Sequence, residues 1–90
     1  MDLEFLRQQI DQIDDELVKL FLRRMEISAQ IASCKKEKGL PILMPAREQE
    51  KLADVAKKSG ANMAEYTRDL YCTLFELSRK YQSMLSNEAV

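Results

Sequence analysis

The stretch LEFLRQQIDQIDDELVKLFLRRMEISAQIASCKKEK, Leu3 to Lys38, decides the fold. Leu6, Ile10, Ile13, Leu17, Leu20, Ile27, Ile31 and Cys34 follow one another at steps of three and four, the period of one helix face. The stripe has one gap, and Arg24 fills it. At about 100° per residue Arg24 projects to the middle of the apolar stripe, while Arg23 falls off it. Lys35 points the same way, about 20° round from Arg24, with Ser28 between them and somewhat to one side. Two cations on a core-facing stripe are costly unless something anionic meets them.

The helix has Asp2 as its N-cap candidate, Glu4 and Asp11 on its early turns, and Gly39 as its stop, with Pro41 beyond. About 36 residues at ~1.5 Å each span ~54 Å. A compact chain of this length has a radius of gyration of only ~12 Å, so the helix overshoots its own domain. Pairing with a second copy is the simplest cover for the excess stripe.

Pro45 suits the first position of a second helix, which runs to about Lys58 and stops at Ser59-Gly60. Leu52, Val55 and Glu48 face inward on it, and Arg47 lies about a quarter turn from Glu48. Asn62 is the N-cap candidate for a third helix, Met63 to about Ser86, with residues 87–90 frayed. One stripe there is Met63, Tyr66, Leu70, Leu74, Leu77, Tyr81 and Leu85. An adjoining stripe is Tyr71, Phe75, Ser78 and Gln82, apolar at first and then polar. The expectation is one all-α domain over residues 1–90.

Composition narrows the function. The chain has 90 residues and a formal net charge of -1, so no global field favours nucleic acid or a membrane surface. It contains no His, which removes His-based triads and metal sites. Cys34 and Cys72 lack metal-ligand spacing and are expected as free thiols in a reducing cytoplasm. No signal peptide or membrane-length apolar run is visible.

The inward polar candidates are Arg24, Lys35, Glu48, Ser78 and Gln82. Each has an ordinary alternative. Arg24 can snorkel to a bundle edge, Lys35 can answer the helix dipole, Glu48 can serve a first turn, and Ser78 and Gln82 can face water. Together they supply more positive than negative charge plus neutral donors, which suits a small anion such as a dicarboxylate. Arg7 lies 17 residues before Arg24, ~25 Å along the axis, too far to share a pocket within one helix. In an antiparallel dimer it can complete the partner's site, giving two equivalent sites.

At this point the chain resembles a known family, the all-helical chorismate mutases, over nearly its whole length. The carrying residues are Leu6-Arg7, Ile10-Asp11, Ile13-Asp14, Leu20, Arg23-Arg24, Lys35, Pro41-Ile42, Arg47-Glu48, and Ser78 with Gln82. The resemblance implies an intertwined dimer of three-helix chains with antiparallel long helices. It implies rearrangement of chorismate to prephenate in phenylalanine and tyrosine biosynthesis, with no cofactor and no metal. Arg24 would bind one substrate carboxylate, and Arg7 of the other subunit the second. Lys35 would contact the ether oxygen and a carboxylate, and Gln82 would donate to the same ether oxygen. Glu48 would accept from the ring hydroxyl, Ser78 would assist at a carboxylate, and Arg47 would support the site and order the loop. Where the family often has an acid, this chain has Met44, whose backbone N–H remains as a donor for the hydroxyl. The rivals are isochorismate–pyruvate lyase activity on the same scaffold and a non-catalytic helical dimerisation or regulatory module.

Overall fold

A computed structural model describes residues 2–88, the side chains as far as residue 86. Three helices follow in order: α1 Leu3–Lys38, α2 Pro45–Ser59 and α3 Ala64–Glu88. No strand occurs among the described residues.

Local chemistry sets the boundaries of α1. Asp2 is its N-cap, and the side chain accepts from the Glu4 backbone N–H at 3.1 Å. Gly39 ends it at φ 67°, a left-handed conformation that a Cβ would penalise. Gly39 N–H then donates to Lys36 and Leu40 N–H to Lys35, the paired bonds of a Schellman cap. Pro45 opens α2 at its first turn, where a missing N–H costs nothing. Met44 is the cap residue of α2 and supplies no side-chain hydrogen bond.

The start of α3 differs from expectation. Residues 61–63 form a turn after Gly60, whose φ is 81°. Met63 N–H donates to the Gly60 carbonyl, and Thr67 N–H to the Met63 carbonyl. Asn62 therefore lies inside the turn and is not the cap. Asn87 and Glu88 are helical, not frayed; Ala89 and Val90 lie outside the described residues.

The third helix packs on both of the others. Val55, Ala56 and Phe75 are buried, and Ser59 Oγ ties the end of α2 to α3 by lying 2.7 Å from Thr67 Oγ1. The whole body measures 54 × 28 × 14 Å with a radius of gyration of 16.3 Å. A helix with its side chains is ~10–12 Å across, so the molecule is close to one helix thick. No side chain among the described residues is completely enclosed.

The covered face of α1 falls differently from the sequence reading. On α1, the half-buried or buried residues are Phe21, Arg24, Met25, Ser28, Ala29, Ala32 and Lys35. The covered face is thus shifted to one side of the apolar stripe, where Ile27 at 43% and Ile31 at 45% exposure stay open. On α3, the mixed stripe Tyr71, Phe75, Ser78 and Gln82 is the covered one. The more apolar stripe keeps Met63, Tyr66, Leu70 and Leu77 exposed. Within one chain, α3 covers its mixed face and leaves much of its apolar stripe exposed, with Leu74, Tyr81 and Leu85 half-buried.

Candidate active site

Consecutive residues of α3 reach in two directions. Ser78 and Arg79 are about 100° apart on the helix, so Ser78 meets α1 while Arg79 meets α2. Arg24 Nη1 donates to Ser78 Oγ at 2.9 Å, and Ser28 Oγ donates to the same oxygen at 3.2 Å. A hydroxyl oxygen has two lone pairs, so both are engaged and the Ser78 proton is left to donate. Gln82 is buried and its Nε2 donates to the Ser28 carbonyl at 2.9 Å, which fixes the amide and leaves its second N–H.

The Arg24 guanidinium carbon lies 5.9 Å from the ring centroids of both Tyr71 and Phe75. These cation–π contacts hold the charge in place without neutralising it. Lys35 Nζ donates to the Ile42 carbonyl at 2.7 Å, which pins the α1–α2 loop to the last turn of α1. Two of its three ammonium protons remain.

Glu48, in the first turn of α2, forms an ion pair with Arg79, and both side chains are partly shielded from solvent. Arg47 is largely exposed and pairs with Glu50 in its own helix at 3.3 Å. This hydrogen bond runs along α2. Lys51 reaches Asp54 at 3.4 Å and Lys58 reaches the same carboxylate oxygen at 3.0 Å. The Asp54 carboxyl is held below its ordinary value, first by the hydrogen bond from Lys58, against a smaller opposing effect of burial and with help from Lys51.

These side chains enclose a cavity of about 270 Å³. Seven expected site residues line it: Arg24, Lys35, Met44, Arg47, Glu48, Ser78 and Gln82. Arg7 does not; it is exposed, far down α1. The sequence reading missed Arg79 and Lys51 and gave Ser28 no role, although all three line the cavity. Glu48 is the single carboxylate there, against the cations Arg24, Lys35, Arg47, Lys51 and Arg79. No buried side-chain polar atom among the described residues lacks a partner. The cavity is thus strongly cationic, with neutral donors and one carboxylate, a pattern that suits a small anion.

An all-helical chain with such a pocket at the junction of three helices defines a narrow class. The chain belongs to the chorismate mutase type II family, whose model matches residues 6–83. It is 40% identical over 68 residues to a T-protein of Haemophilus influenzae, covering 76% of this chain and 18% of that protein. A T-protein of Enterobacter agglomerans is 40% identical over 60 residues, 67% of this chain and 16% of its own length. A chorismate mutase of Methanocaldococcus jannaschii is 36% identical over 44 residues, 49% of this chain and 44% of that one. The chain therefore spans less than a fifth of the T-proteins it matches. No solved structure matches it at the same stringency.

Proposed function

We propose that this chain is a chorismate mutase that works as an intertwined antiparallel homodimer and rearranges chorismate to prephenate. The observation that carries the reading is the convergence of Arg24, Lys35, Ser78 and Gln82 with Glu48 around one cavity. Family membership and the relative named chorismate mutase support the same reaction.

The chemistry suits a pocket without His. The rearrangement is concerted and intramolecular, so it needs no nucleophile and no proton shuttle. The protein must hold the side chain of the substrate over its ring, near the attack geometry. It must also stabilise negative charge on the ether oxygen as the C–O bond breaks. Lys35, already anchored by the Ile42 carbonyl, and Gln82, anchored by the Ser28 carbonyl, are the fixed donors to that oxygen. Arg24 binds one carboxylate with help from the free Ser78 proton, and Arg7 of the partner subunit binds the other. Glu48 accepts from the ring hydroxyl, to which the Met44 backbone N–H donates, and Arg47 supports the site and orders the loop. No cofactor and no metal enters the reaction.

The dimer is supported by what the single chain leaves open. Leu3, Leu6, Ile10, Ile13, Leu17 and Leu20 are all exposed, and so are Phe5, Val18 and Leu22 outside the stripe. An apolar surface of that extent on a body 14 Å thick supports pairing with a second copy. No helix among the described residues is long and apolar enough to cross a membrane. Cys34 and Cys72 are free and exposed, which suits the cytoplasm we propose.

The test is direct. Chorismate is added to the purified protein, its loss is followed, and the product is identified by chromatography beside an Arg24→Ala control. Prephenate from the wild type and almost none from the control is the expected result. Pyruvate from isochorismate without prephenate would move the assignment to the lyase. A folded dimer inert to both would leave a non-catalytic module.

A further inference from the structure

We propose that Arg79 is a positioning residue of this site, which holds the Glu48 carboxylate in place as the acceptor for the substrate hydroxyl. The proposal rests on the chorismate mutase reading above. It starts from an imbalance: Glu48 is the single carboxylate on the cavity wall, surrounded by Arg24, Lys35, Arg47, Lys51 and Arg79. A lone flexible carboxylate in such a setting collapses onto a neighbouring cation. Lys51 stands three residues on, on the same side of α2. That pairing would draw Glu48 along its own helix and away from the cavity.

Arg79 prevents this from across the interface. Its Nη1 donates to Glu48 Oε2, and the pair is partly shielded, with side-chain exposures of 32% and 25%. Arg47 is meanwhile occupied by Glu50, and Lys51 by Asp54. Glu48 Oε1 is left with its lone pairs for a donor in the cavity. The need is sharper in this chain because Met44 supplies no second carboxylate near the hydroxyl. Arg79 also stands in the wall between the cavity and a larger open groove of about 910 Å³ beside Ile42, Leu43 and Leu77. Its side chain thus closes the pocket where it fixes the acceptor. An arginine suits this better than a lysine, since its planar fork sets a direction as well as a charge.

The experiment is a kinetic cycle with chorismate on the full chain: wild type, Arg79→Gln, Glu48→Gln, the double variant, and Arg79→Lys. Helix content by circular dichroism is recorded for each. Arg79→Gln should lower kcat by about tenfold or more, the range for losing a hydrogen bond to a charged group. KM should move by less than about threefold, because the carboxylate anchors remain, and Arg79→Lys should recover part of the loss. Added to the Glu48→Gln background, Arg79→Gln should change kcat by less than about twofold, since the two residues act as a unit. Wild-type turnover in Arg79→Gln would overturn the proposal alone. So would an equal loss in both backgrounds, which would mean Arg79 acts on the substrate or the fold and not through Glu48. Should Arg79→Gln fail to fold, Arg79→Lys carries the same cycle: its smaller loss must vanish in the Glu48→Gln background, and persistence overturns the proposal. A wild type inert towards chorismate overturns the function itself, and the proposal with it.

Discussion

The two halves of α1 meet opposite surroundings. From Leu3 to Leu20 every residue is exposed, although leucine and isoleucine recur there at helical spacing. From Phe21 to Lys35 one face is covered by α3 and the loop, and it carries Arg24, Ser28 and Lys35. The apolar half lacks a partner within the chain, while the half bearing the charges has one. A covered face with polar residues is stable only because each finds a bond, as Ser28 and Gln82 do. An open face rich in leucine is stable only when another surface meets it. On the function proposed here, the first half would meet a second molecule and the second half a ligand.

The largest effect is expected from breaking the uncovered half. Ile13→Glu with Leu17→Glu removes two apolar anchors, each worth about 1.5–3 kcal/mol when buried, and forces two charges into an apolar contact. Sedimentation should show loss of the dimer together with loss of helix content and of all turnover. Lys19→Glu, a change of charge on an already polar residue, should do neither.

Next comes the covered half. Lys35→Ala and Arg24→Ala should each lower kcat about a hundred- to a thousandfold, roughly 3–4 kcal/mol, while the protein remains dimeric by sedimentation. Near-normal turnover in either would remove that residue from the chemistry. Damage to the two halves would thus separate into loss of assembly and loss of reaction.

Ser28→Ala refines the picture. It removes one donor to Ser78, which keeps its bond from Arg24, so no buried acceptor is stranded. The cost should be about 1 kcal/mol, a fall in Tm of ~4–8 °C, with kcat within about threefold.

The smallest effect lies at Asp54. Its carboxyl is held below the ordinary value of 3.8, chiefly by Lys58, so the folded state binds its proton less readily than the unfolded one. Its contribution is present above 3.8 and disappears as the pH falls through the lowered folded value. Asp54→Asn should lower Tm slightly at neutral pH, and a pH series of melts should show the gap closing in acid.

Much of this arrangement was legible in the residues. Arg24 stood out because it interrupts an apolar stripe, and Gly39 and Pro45 punctuate the chain strongly enough to set the end of α1 and the start of α2. Glu48, Ser78 and Gln82 could be placed inward because helical spacing ties each to an apolar neighbour. What stayed hidden depends on packing between helices. Arg79 looks like an outward charge until α2 is laid beside α3, because its partner Glu48 is 31 positions away. Lys51 pairs locally with Asp54, and only the packing of the three helices places it on the cavity wall. Asn62 is a good capping residue, but Gly60 starts a turn that carries the chain past it before α3 begins.

We propose that α1 serves two sites, its first half completing the pocket of the other subunit. Mixing Arg7→Ala and Arg24→Ala proteins, each inactive alone, and letting the subunits re-associate tests it most directly. Random exchange at equal amounts makes half of the dimers mixed, and each mixed dimer has one intact site of two, so about a quarter of wild-type activity should return. A mixture no more active than its two parents would contradict the claim.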